Sequence, residues 1–71
     1  MPKKWKIRGE AFMNATARAG IGSAARLAAE AGISRGTAER VMRGDAVSRS
    51  TIAAIALRLD RDASDLFEAA L

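Results

Sequence analysis

The chain has no cysteine, no histidine and no tyrosine, and its only aromatic residues are two phenylalanines and one tryptophan. Without thiols there is no disulfide framework and no thiolate metal site. Without imidazoles there are no histidine zinc ligands and no Ser-His or Cys-His nucleophile pair. No run approaches the ~20 apolar residues of a membrane span. The start Met1-Pro2-Lys3-Lys4 lacks the apolar core of a signal peptide. The carboxylates are scattered, and no glycine-rich phosphate loop follows a strand. These absences argue against an enzyme, a metal, a cofactor or a membrane partner. They fit a cytoplasmic protein of a bacterium or a phage.

Large side chains are also scarce. Seventy-one residues permit one small domain. The hydrophobic fraction is 49%, but 17 of those 35 residues are alanine, which favours helix and close helix contact while burying little area. The expectation is a helical domain of small net stability, helped by self-association.

The net charge of +4 is unevenly spread, with residues 1–49 carrying +6 and residues 50–71 carrying −2. One side therefore suits a polyanion and the other faces elsewhere.

Along the chain, residues 1–8 form a basic segment. Lys4, Lys6 and Arg8 alternate with Trp5 and Ile7, the pattern of a short strand or a tethered arm. Trp5 and Ile7 are expected to pack on the domain or on a partner subunit. Residues 9–71 then form the domain proper. A first helix spans 9–19, with Phe12, Ala15, Ala19 and Met13 inward, and Gly20 ends it. Ser23 caps a helix at 24–31, Ser34 one at 35–43 and Ser48 one at 49–59. The last of these has inward spacing at Ile52, Ile55, Ala56 and Leu59. Asp45-Ala46-Val47 reads as a loop. Asp62 is expected to cap a fifth helix at 63–70. Five short helices, each with one apolar stripe, predict an all-α, five-helix orthogonal bundle.

The segment Leu27 to Gly44 is the most informative. Ala28 lets two helices approach, Gly32 supplies positive φ at a helix end, Ile33 plugs the corner and Ser34 starts the next helix. Ala38, Val41 and Met42 form the inward stripe of that helix, leaving Arg40 and Arg43 outside. This is how a helix-turn-helix offers a recognition helix to the major groove.

These features, with the Arg43-Gly44 ending, the Ser48 to Leu59 helix and the closing Asp65-Leu66-Phe67, resemble the Cro/C1-type (XRE-like) helix-turn-helix repressors over roughly residues 12–67. The resemblance implies a lambda repressor-like fold, dimeric binding to palindromic operators and regulation of transcription, often in phages. The chain departs from the family at Ala24, where glutamine is frequent, and at Met42, where glutamate is common.

On a helical projection Gly36, Glu39, Arg40 and Arg43 lie opposite the buried stripe, with Arg35 at its flank. Arg35 and Arg40 are the base-reading candidates, because a guanidinium bonds guanine O6 and N7 bidentately. Gly36 permits close approach. Glu39 either accepts from a cytosine amino group or braces Arg35 and Arg43, and its spacing from both favours bracing. Phosphate contacts are expected from Ser34, Thr37, Arg43, Ser48 and Arg49. Lys3, Lys4 and Lys6 join them, unless the terminus is only a solvated tail.

Leu66, Phe67 and Leu71 form either a dimer contact or core. The expected partners are double-stranded DNA and a second copy of the chain, with no small-molecule ligand and a nucleoid location. A protein-interaction module, such as the helix-turn-helix antitoxin of a toxin–antitoxin pair, is the other class compatible with these residues. Short, separately capped helices disfavour an amphipathic membrane binder.

Overall fold

The computed structural model describes residues 3–70. Among them are two strands and five helices in the order β1 (Trp5–Ile7), α1 (Gly9–Arg18), α2 (Ala24–Ala31), α3 (Arg35–Arg43), α4 (Arg49–Leu59), α5 (Ala63–Leu66) and β2 (Phe67–Ala69). The chain is mostly helical. The middle helices start and stop where local chemistry directs. Ser23 Oγ accepts the Arg26 N–H at 3.1 Å, and Gly20, Gly32 and Gly44 take the left-handed conformation at helix ends.

The all-α expectation needs correction at the C-terminus. The fifth helix does not run over 63–70. It is one turn long, and the chain becomes extended at Phe67, with φ −133° and ψ 152°. Phe67 to Ala69 then pairs antiparallel with Ile7 to Trp5. A short isolated helix gains little from its own hydrogen bonds. The strand instead seats the Phe67 ring against Phe12, with centroids 5.8 Å apart, and sets Glu68 opposite Lys6. Asp62, the expected cap, makes no side-chain capping bond.

The N-terminal alternation therefore forms a strand. Trp5 also exchanges two 2.8 Å backbone hydrogen bonds with Val47 on the other edge of β1. The loop after α3 is thus tied to the same small sheet as the C-terminus. Trp5 and Ile7 pack against the core from one side of β1.

The core is centred on Phe12, Leu27, Val41, Ile55, Leu66 and Phe67. Two loop residues join it, Ile21 and Val47, the second of which was expected only to connect elements. Met13, expected inward, is 54% exposed, and Thr16 takes the buried place on α1. Its hydroxyl donates toward the Phe12 and Met13 carbonyls, each at 3.1 Å, so no polar group is stranded. Leu66 and Phe67 are each 2% exposed and fill the protomer's own core, so their side chains are not offered to a dimer partner. Leu71 lies outside the described residues.

Candidate nucleic-acid interface

The corner between α2 and α3 is built by three residues. Gly32, at φ +69°, reverses the chain. The Gly32 and Ile33 N–H groups both donate to the Ala28 carbonyl, at 3.0 and 3.1 Å. Ser34 Oγ accepts the Thr37 N–H at 3.1 Å, and the two hydroxyls bond at 2.8 Å. Ala28 and Ala38 are buried and small, which lets α2 and α3 pack closely. Ile33 packs part-buried against the core.

α3 buries Ala38 and Val41 and half-buries Met42. Its outer face exposes Arg35, Gly36, Glu39, Arg40 and Arg43. Glu39 pairs with Arg35 at 3.8 Å but does not brace Arg43. Arg43 turns instead to Asp45, whose Oδ2 it meets through Nη2 at 2.9 Å and Nε at 3.3 Å. Gly44, at φ +87°, bends the chain so that Asp45 N–H reaches the Arg40 carbonyl at 3.0 Å. Arg40 is exposed and donates from Nη2 to the Ala46 carbonyl at 3.2 Å. These are surface contacts, each worth about 0–1 kcal/mol, and their loss would not disturb the core.

Asp45, which pairs with Arg43 at the candidate interface, is the residue that sequence reasoning missed. The available signal was an acidic side chain two residues beyond Arg43, across a glycine turn.

At the start of α4, Ser48 does not act as the expected side-chain cap. Its Oγ lies 3.1 Å from Ser50 Oγ and 3.2 Å from Thr51 Oγ1, and no first-turn N–H bonds to it. The next residue, Arg49, places its guanidinium carbon 5.2 Å from the centre of the Trp5 ring, a cation–π contact. β1 runs antiparallel to the segment entering α4 at Trp5 and Val47. That direction carries Lys4 and Lys3 toward Ser48 and Arg49, and both lysines are exposed. Lys6 and Arg8 face the acidic side chain opposite them, with Glu68 at 3.8 and 3.2 Å respectively.

Among the described residues no cluster of three or more Asp or Glu could hold a metal ion, and no helix is long and apolar enough to cross a membrane.

Two helices meeting at a left-handed glycine corner, the second presenting arginines outward, define a helix-turn-helix of the DNA-binding class. The family model of the Cro/C1-type HTH DNA-binding domain matches residues 13–70, and the chain belongs to that family. No curated protein and no solved structure matches it.

Proposed function

We propose that the chain is a sequence-specific regulator of transcription, a Cro-like or repressor protein that binds a palindromic operator as a homodimer through the major groove. The observation that carries this reading is the outer face of α3. Its arginines and Gly36 stand exposed, while the opposite face of the same helix is anchored by Ala38 and Val41.

In this reading Arg35 and Arg40 contact base edges, and Gly36 lets the helix backbone approach them. Glu39 holds Arg35 in position. Arg43, Ser34, Thr37, Ser48, Arg49, Lys3, Lys4 and Lys6 lie against phosphates and fix the register. Arg43, Lys6 and Arg49 each hold a competing contact in the free protein, with Asp45, Glu68 and the Trp5 ring respectively.

Selection of binding sites from random duplexes tests the proposal. The expected product is an inverted repeat whose half-sites lie about one helical turn, or a multiple of it, apart. Recovery of no preferred sequence, with binding insensitive to salt, would favour a protein-interaction module instead.

A further inference from the structure

Trp5 is the only tryptophan of the chain. It stands on the short strand β1, part-buried against the core rather than within it. An aliphatic side chain would serve to pack that strand. The ring does something further, because the Arg49 guanidinium lies over it, with Cζ 5.2 Å from the ring centre.

Arg49 is the first residue of α4, and no acidic residue lies in that first turn. A cation is unfavourable at the positive end of a helix. Among the described residues no carboxylate pairs with Arg49. It therefore neither steadies its own helix nor closes an ion pair, and it stands exposed.

The three cations already engaged in the free protein differ in what engages them. Asp45 and Glu68 are carboxylates, which contend with a phosphate for the charge of Arg43 and Lys6. An aromatic ring is neutral and contends only for the face of a guanidinium. The N–H groups along the guanidinium edge remain for a phosphate oxygen. The ring thus fixes where the group stands and leaves its charge whole. Its mount is anchored, since Trp5 exchanges backbone hydrogen bonds with Val47, a core residue of the segment leading into Arg49.

We propose that Trp5 is a positioning residue for DNA binding, its ring holding the Arg49 guanidinium in place for a phosphate at the start of α4. The inference rests on the DNA reading above and adds to that interface a residue outside the basic set.

A double-mutant cycle on the full chain tests it. Trp5→Leu, Arg49→Gln and the double variant are titrated at several salt concentrations with the selected duplex and with one of unrelated sequence. Arg49→Gln should weaken both alike and lower the salt slope by about one. Trp5→Leu should weaken both about two- to fivefold, the scale of an exposed cation–π contact, and lower the slope as well. The double variant should bind as Arg49→Gln does, because a ring without its cation has nothing to position. Trp5→Phe, which keeps a ring, should recover most of the affinity. A ring that only packs the strand would lower the melting temperature, leave the salt slope unchanged and act additively with Arg49→Gln. That outcome overturns the proposal.

Trp5 emission supplies a second measurement that leaves Trp5 in place, should Trp5→Leu fail to fold. The emission should shift in free Arg49→Gln, and in wild type on saturation with duplex. Emission that bound duplex leaves unmoved overturns the role. If wild type binds no duplex while Arg49→Gln still shifts the free emission, the ring contact stands, and the DNA reading falls together with the positioning role.

Discussion

Arg40 and Arg43 stand three residues apart on one face of α3, yet their surroundings differ. Arg40 holds only a neutral carbonyl, at Ala46, whereas Arg43 is paired with the Asp45 carboxylate. In the proposed complex Arg40→Ala costs about 1–3 kcal/mol on the selected site and relaxes preference at one base position. Arg43→Ala weakens all sequences alike and lowers the salt slope by about one. Titrations of matched and mismatched duplexes at several salt concentrations check both. Gly36 gives a sharper separation of stability from binding. A Cβ built there meets nothing within 4 Å and its backbone needs no positive φ. Gly36→Ala therefore stabilises the free protein by about 0.5–1 kcal/mol. If α3 enters the groove, the same methyl group lowers DNA affinity. Thermal melts and DNA titrations of the one variant should move in opposite directions. These positions were legible in the sequence because helical spacing alone divides α3 into two faces. Asp45 was not, because its meeting with Arg43 depends on the Gly44 turn.

At the scale of elements, α2, α3 and α4 follow the sequence pattern residue for residue at their bounds. Each has a polar starter, an apolar stripe and a left-handed residue at its end. The C-terminus follows a different logic. Its alanine-rich sequence suits helix, but β1 offers a hydrogen-bonding edge and Phe12 offers a place for the Phe67 ring. Strand pairing between residues 5–7 and 67–69 is a non-local event that no local window contains. The structure makes Phe67 the clasp between β2 and the helical core, so Phe67→Ala should cost about 3–5 kcal/mol. Urea unfolding of the DNA-free protein measures this loss. A cost below ~1 kcal/mol would contradict the burial seen here.

Across the whole molecule, the Glu30 carboxylate links α2 to α4. Arg58 donates from Nε at 2.6 Å and pairs through Nη2, and Arg26 lies at 3.0 Å on the other side. The Arg58 hydrogen bond, then its charge, hold the Glu30 pKa below the ordinary carboxylate value. A group with a lowered folded pKa contributes stability that is present above its unfolded pKa. That contribution is lost as pH falls through the lower, folded value. Glu30→Gln should therefore lower the melting temperature at neutral pH and flatten its decline toward acid. Melts of both proteins across the acid range check the sign. Equal acid limbs would show that the carboxylate has no role in stability.

The sequence by itself determined that the chain is mostly helical with a helix-turn-helix, the limits of the central helices and which face of α3 is cationic. Those properties depend on spacing, caps and glycine positions within a few residues of each other. Only the tertiary structure decided that the N-terminal alternation is a strand and that β2 replaces the end of α5. It also decided that Ile21 and Val47 belong to the core and that Arg43 pairs with Asp45. Each of these depends on a partner brought near by the fold or by a turn, and a chain read residue by residue carries no record of that proximity.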